Sequence, residues 1–130
     1  MTMELYDEIQ KAYKSARNYP DLAKSLIGIG IQSYTVDVVT GIILYRFVEG
    51  INVIHADEVK SRQVAVRFDE RLTIQSIRSN QQGLTTYPQF MDEIAKAGVR
   101  FYEATLNGSN KRVTYIGATG QYEETIPVQQ

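Results

Sequence analysis

A 16-residue pattern occurs twice in this 130-residue chain, at positions 68 residues apart. It reads Y-P-x-[LF]-x3-[LI]-x3-G-[IV]-x2-Y, beginning at Tyr19-Pro20 and at Tyr87-Pro88. Proline suits a first helical turn, and the apolar pair four residues apart shares one helical face. Glycine adopts the left-handed conformation that ends many helices. The sequence therefore predicts two helices that each end at a glycine before a strand, and a repeat of this kind constrains the whole fold.

The match extends beyond the pattern in both directions. Upstream, an apolar stripe at helical spacing precedes each copy: Tyr6, Ile9, Tyr13 and Ala16 correspond to Ile74, Ile77, Gln81 and Leu84. Downstream, two extra residues in the second hairpin loop bring Ile43 and Tyr45 into correspondence with Val113 and Tyr115. We therefore predict an α+β fold of internally duplicated helix-helix-strand-strand units. Its antiparallel sheet would have helices on one face and a pseudo-two-fold axis.

The predicted boundaries describe a single domain over residues 1–130, with pseudo-repeats at about 3–48 and 70–117. The helices are predicted at about Met3–Arg17, Pro20–Ile29, Glu70–Gln82 and Pro88–Ala97. The strands are predicted near Ile31–Val38, Ile42–Val48, Val99–Leu106 and Arg112–Ile116, with further short strands near Gln63–Arg67 and Glu123–Val128. No element is assigned within Glu49–Arg62.

Composition excludes several classes of function. The net charge of −1 argues against a nucleic-acid partner, because such proteins usually carry a basic excess. The chain has no cysteine and one histidine, so we predict no metal site, since a multi-histidine site would need several chains. We also expect no cofactor. Charged residues interrupt the most apolar stretch, Leu26 to Ala56, before it reaches the roughly 18 residues of a membrane span. We expect a cytoplasmic protein with no membrane partner.

Several motifs resemble a known family of small bacterial and prophage-linked proteins of unknown function, some of which are labelled phage envelope protein. The motifs are Gly30-Ile31-x2-Tyr34-x-Val36-Asp37-Val38, Gln82-Gly83-x3-Tyr87-Pro88-x-Phe90, Ala97-Gly98-Val99-x2-Tyr102, Val113-x-Tyr115-x-Gly117 and Ile126-Pro127. The resemblance implies a prophage link, and it supplies no established activity or site. A literal envelope role would imply a virion or membrane location, which the missing membrane segment argues against.

His55 is a candidate for chemistry because it is the only side chain that ordinarily titrates near neutral pH. It is followed closely by Asp57 and Glu58, and a histidine near carboxylates can act as a general base. No motif places a nucleophile beside it, so a loop histidine at or near the surface remains the alternative.

Gln81 and Asp37 are candidate ligand-binding residues for different reasons. Gln81 occupies the stripe position that Tyr13 fills in the first copy, and a buried amide would need a hydrogen-bond partner. A helix-end glutamine that meets backbone or water is the alternative. Asp37 shares a predicted strand face with Ser33 and Thr35, and that face is either solvated or a binding or dimer surface.

Tyrosine is abundant, with nine in the chain, and six fall on repeat positions: Tyr19, Tyr34, Tyr45, Tyr87, Tyr102 and Tyr115. Either they fill the core, or they line a pocket at the pseudo-two-fold axis, which makes Tyr34 and Tyr102 ligand-binding candidates.

Our leading interpretation is a non-enzymatic binding or interaction protein, prophage-derived and self-associating as a homodimer through exposed sheet edges and an open sheet face. The alternative is a small enzyme or small-ligand-binding protein with a site between the halves, near His55 and Gln81.

Overall fold

The structure, a computed structural model, describes residues 2–56 and 60–127, so Asp57, Glu58 and Val128 lie outside it. Within those residues the helices are α1 (Thr2–Ser15), α2 (Tyr19–Ile29), α3 (Glu70–Gln81) and α4 (Tyr87–Lys96). The strands are β1 (Ile31–Asp37), β2 (Ile43–Phe47), β3 (Asn52–His55), β4 (Val99–Thr105), β5 (Arg112–Gly117) and β6 (Gln121–Thr125). All six strands form one antiparallel sheet, and the predicted α+β class is confirmed.

Helices α2 and α4 begin and end in the way that the repeated pattern predicts. Before α2, the side chain of Asn18 accepts a hydrogen bond from the Asp21 amide at 2.9 Å. Before α4, Thr86 and Gln89 form a reciprocal capping box. Gly30 and Gly98 follow the two helices with φ angles of 107° and 87°, so both use the left-handed conformation.

The strand register shows how the two halves meet. The order is β3-β2-β1-β4-β5-β6, so β1 and β4 join the halves at the centre of the sheet. Thr35 pairs with Glu103, and these two residues are 68 positions apart, which is the offset of the repeat. A two-fold axis requires this arrangement, because a residue on the axis must face its own equivalent. Irregular pairing also recurs at the same offset, between Ile31 and Ser33 and between Val99 and Phe101.

The helices cover one face of the sheet and leave the other open. Helices α2 and α4 pack on the central strands β1 and β4, while α1 and α3 pack on the edge strands β3 and β6. The helix-facing side chains of the central strands are buried, among them Tyr34, Val36, Tyr102 and Ala104. We call the opposite surface the open face. It carries Thr35, Asp37, Phe101, Glu103 and their cross-strand neighbours.

Three predictions about the elements need correction. The segment Gln63–Arg67 forms no strand, because its Ala65 amide donates to the carbonyl of Ala95 at the end of α4 instead of joining a ladder. Conversely, β3 lies within the stretch to which no element had been assigned. Strand β6 begins at Gln121, two residues before the predicted start. None of the helices that the structure describes is long and apolar enough to span a bilayer.

Candidate functional site

A cavity of about 910 Å³ lies between the helices and the sheet, and residues of both halves line it. It is near the upper end of the size range of small-molecule sites. Every helix and every strand contributes to its wall. Seven tyrosines line it: Tyr13, Tyr19, Tyr34, Tyr45, Tyr87, Tyr102 and Tyr115. The repeat therefore places aromatic side chains around a shared internal space as well as in the packed core.

In the first half, the hydroxyl groups of four tyrosines form hydrogen bonds with each other in two pairs. The hydroxyl oxygens of Tyr19 and Tyr34 lie 2.6 Å apart, and those of Tyr13 and Tyr45 lie 2.8 Å apart. Each distance is that of a hydrogen bond between hydroxyl groups. These bonds join α2 to β1 and α1 to β2, and they position the rings along one side of the cavity.

The second half places tyrosines at the first of these pairs and lacks the second. Tyr87 and Tyr102 correspond to Tyr19 and Tyr34, and burial is the largest cause that raises the pKa of both. Tyr115 corresponds to Tyr45, but Gln81 stands where Tyr13 would be. The side-chain oxygen of Gln81 accepts a hydrogen bond from Arg78 at 3.1 Å. Among residues 2–56 and 60–127, nothing bonds the hydroxyl of Tyr115, although only 6% of this residue is exposed.

Burial keeps these phenols neutral. It raises the pKa of Tyr13 to about 12, with the hydrogen bond from Tyr45 acting in the opposite direction. Burial also raises the pKa of Tyr34, Tyr45, Tyr102 and Tyr115 above its ordinary range. The cavity therefore offers aromatic surface and neutral hydrogen-bonding groups near pH 7, and no phenolate that could act as a base.

Polar groups stand at two related places on the cavity wall. His55 pairs across strands with Ile43, and Glu124 pairs with Val113, so the two occupy matching positions of the halves. The ring of His55 stacks on Tyr6 of α1 with centroids 5.3 Å apart. Glu124 instead accepts two hydrogen bonds from Arg78 of α3, at 2.9 and 3.2 Å, and one from the Tyr122 hydroxyl at 2.7 Å.

The Arg78–Glu124 ion pair affects the local electrostatics. The hydrogen bonds to Glu124 raise the pKa of Arg78, which keeps this guanidinium charged. Because the charges of Arg78 and Glu124 neutralise each other, the pair adds little net charge to the cavity wall. A neutral ligand is therefore better matched to this wall than an ion.

The structure brings four of the five predicted site residues to this one cavity. His55, Gln81, Tyr34 and Tyr102 all line it. Asp37 does not: it lies at the end of β1, where its carboxylate accepts hydrogen bonds from the amide and hydroxyl of Thr40 at 3.2 and 2.5 Å. This carboxylate therefore stabilises the β1–β2 turn.

Sequence reasoning did not find Glu124, and it considered Arg78 only as part of an anion patch with Arg71, with a solvated charged face as the alternative. Glu124 corresponds to His55 only when β3 and β6 are recognised as equivalent strands, and β3 had not been predicted. Arg78 lies one helical turn before Gln81 on α3, a spacing that brings side chains together. Within the part of the chain that is described, no group of three histidine, aspartate or glutamate side chains could hold a metal ion.

These features define a class: α+β proteins with one antiparallel sheet, helices on a single face and a tyrosine-lined cavity between the layers. A family model described as "Protein of unknown function (DUF1398)" matches residues 7–122, and the chain belongs to that family. The predicted membership of an uncharacterised family is thereby confirmed. A search of curated proteins found no match to the chain.

Proposed function

We propose that the protein binds a small, neutral molecule with a largely apolar body in the cavity between its helices and its sheet. The observation that carries this proposal is the cavity of about 910 Å³ whose wall includes seven tyrosines from both halves. Sites for small molecules are usually mostly apolar and aromatic, with a few polar groups that orient the ligand.

The charge distribution supports a neutral ligand and a binding role. The tyrosine hydroxyl groups remain protonated, and the cation of Arg78 is paired with Glu124 at 2.9 Å. An ionic ligand would lose its hydration without gaining a counter-charge from this pair, which is unfavourable in a buried site. Neutral phenols hold and orient a ligand but supply no base near pH 7.

A fluorescent neutral probe tests the proposal. N-phenyl-1-naphthylamine is expected to bind the wild-type protein saturably, with the rise in fluorescence that follows its entry into an apolar site. Val113→Phe places a larger side chain in the cavity wall, and we expect it to weaken binding about tenfold or more, equivalent to ~1.4 kcal/mol.

The matched control is Thr114→Phe, since Thr114 is the next residue on β5 and faces the opposite side of the sheet. This variant is expected to bind the probe like the wild type. Circular dichroism checks that both variants are folded. The proposal is wrong if the wild type shows no saturable binding, or if the two folded variants bind equally well.

A second proposal, self-association through the open face, has separate support. Leu44 pairs with Ile54 on one side of this face, and Phe101 pairs with Ile116 on the other. Ile54 is 65% exposed, and a second copy would remove this apolar surface from water. We expect a dimer in sedimentation measurements and a monomer for Ile54→Lys, and a monomeric wild type at high concentration would contradict this proposal.

Three expectations from the sequence stay predictions. They are the bacterial and prophage origin that the resemblance implies, the cytoplasmic location, and the lack of a nucleic-acid partner. The near-neutral net charge supports the last of these, and a mobility-shift assay with DNA and RNA at low salt tests it.

A further inference from the structure

We propose that the hydroxyl of Tyr115 is the group that anchors the ligand, and that it selects neutral molecules carrying a carbonyl or hydroxyl oxygen. This inference rests on the binding role proposed above and adds the ligand's chemical class and its orientation. It follows from a place on the cavity wall, Tyr45 against Tyr115, where the two halves differ in hydrogen bonding.

The comparison of Tyr45 with Tyr115 provides the evidence. Both are buried, on equivalent strands, with their rings close to equivalent neighbours: Tyr34 lies 5.5 Å from Tyr45, and Tyr102 lies 5.2 Å from Tyr115 between centroids. The Tyr45 hydroxyl is bonded to Tyr13, while that of Tyr115 has no partner within the described ranges. Tyr115 lines the cavity, and its hydroxyl is not among the fully enclosed unpaired atoms of the described residues, so the partner open to it is a molecule in the cavity.

The helix ends explain why no protein group reaches Tyr115. Tyr13 lies inside α1, two residues before its end at Ser15, whereas Gln81 is the last residue of α3. Arg78 donates both to Gln81 at 3.1 Å and to Glu124 at 2.9 Å. These bonds hold the amide oxygen of Gln81 against Arg78, and the hydroxyl of Tyr115 is left to a ligand.

The surroundings of Tyr115 define the ligand's chemistry. Burial is the largest cause that raises the pKa of this phenol, so it is a neutral hydroxyl that can donate a hydrogen bond to an uncharged oxygen. The ring of Tyr102 lies beside it, and a flat apolar body can pack against both rings. A planar ketone or phenol meets these requirements better than a carboxylate or an amine.

A pair of probes of nearly equal shape tests this inference. 2-Acetylnaphthalene carries a carbonyl oxygen, and 2-isopropenylnaphthalene has a methylene group in its place. Both are used to displace N-phenyl-1-naphthylamine from the folded full-length protein, and the ratio of their affinities is the measured quantity. Tyr115→Phe is expected to shift this ratio about two- to tenfold towards the hydrocarbon, the effect of one lost neutral hydrogen bond.

Two further variants make the test specific. Tyr45→Phe removes an equivalent hydroxyl that is already bonded, so no shift towards the hydrocarbon is expected. Gln81→Tyr places in the second half the residue that bonds Tyr45 in the first half. It is expected to occupy the Tyr115 hydroxyl and to shift the ratio in the same direction as Tyr115→Phe.

The outcomes separate this inference from the proposed function. If the probes bind but neither Tyr115→Phe nor Gln81→Tyr changes the ratio, the inference is wrong and the proposed function stands. An equal shift in Tyr45→Phe would also overturn it, because the effect would not belong to Tyr115. If no probe binds the wild-type protein, the proposed function itself fails.

Discussion

Tyr13 and Tyr115 show how much the environment of a phenol depends on a single partner. Tyr13 shares its hydroxyl hydrogen bond with Tyr45, a residue that is 1% exposed. Tyr115 is nearly as buried and has no such partner in the described part of the chain. Removing one hydroxyl oxygen is therefore expected to have opposite consequences at the two positions.

Tyr13→Phe is expected to lower the free energy of unfolding by about 1–2 kcal/mol, because it leaves the buried Tyr45 hydroxyl without a partner. Tyr115→Phe is the matched control, and it should leave the ligand-free protein as stable as the wild type or slightly more stable. Urea unfolding of the three proteins measures the difference. Equal losses for both variants would show that the Tyr13–Tyr45 bond contributes nothing.

The sequence predicted where individual residues lie better than it predicted their contacts. The repeat identified six tyrosines that line the cavity, and it singled out Gln81 as the place where the halves differ. It could not show that the Tyr115 hydroxyl lacks a partner, since that depends on where α3 ends and on the Arg78–Glu124 pair. Asp37 was proposed because its strand face looked open, and its carboxylate instead bonds Thr40 in the adjoining turn.

The ends of α2 and α4 share a conformation but differ in their surroundings. Gly30 and Gly98 both have positive φ angles, and the amide of each donates to the carbonyl three residues earlier, Ile27 and Ala95. A Cβ atom at residue 30 would meet nothing nearer than Phe47 at 3.9 Å. A Cβ atom at residue 98 would lie 2.5 Å from the carbonyl oxygen of Arg67, in the segment that precedes α3.

This difference predicts unequal costs for the same substitution. Gly30→Ala is expected to cost about 1–2 kcal/mol of stability, because alanine is strained in the left-handed conformation. Gly98→Ala is expected to cost about 2–5 kcal/mol, because a steric clash with backbone adds to the same strain. Thermal or urea unfolding of both variants checks the order, and an equal loss would contradict the close approach of Arg67.

Elements with strong local signals were predicted well, and short ones were not. The eight repeated helices and strands were placed within a few residues, because caps, glycines and apolar spacing agree at their ends. Strand β3 has only four residues and was missed, since its pattern of burial alternates over too short a stretch. Gln63–Arg67 is a short apolar run between polar residues, which is typical of a strand, but its Ala65 amide bonds to the carbonyl of Ala95 at the end of α4.

The whole molecule depends on the contact between β1 and β4. These strands pair over five residues at the centre of the sheet, and each half supplies part of the wall of the cavity. Either half alone would expose a central strand edge and the apolar face that its partner covers. The predicted pseudo-two-fold axis explains why the cavity lies where the halves meet.

Separated halves, residues 1–56 and 60–130, are therefore expected to be poorly folded alone and to regain structure when mixed. Circular dichroism of each half and of the mixture measures this, and the binding of N-phenyl-1-naphthylamine reports whether the cavity re-forms. Two halves that are each fully folded in isolation would contradict the dependence on β1–β4 pairing.

The Thr35–Glu103 pair affects which halves associate with each other in such a mixture. Two copies of the second half joined through β4 would bring two Glu103 carboxylates face to face, and like charges opposite each other destabilise a sheet. Two copies of the first half would instead bring two Thr35 side chains together, and these uncharged groups do not repel each other. The Glu103 carboxylate thus favours association of the second half with a first half over association with another second half. Glu103→Thr should therefore let the second half associate with itself.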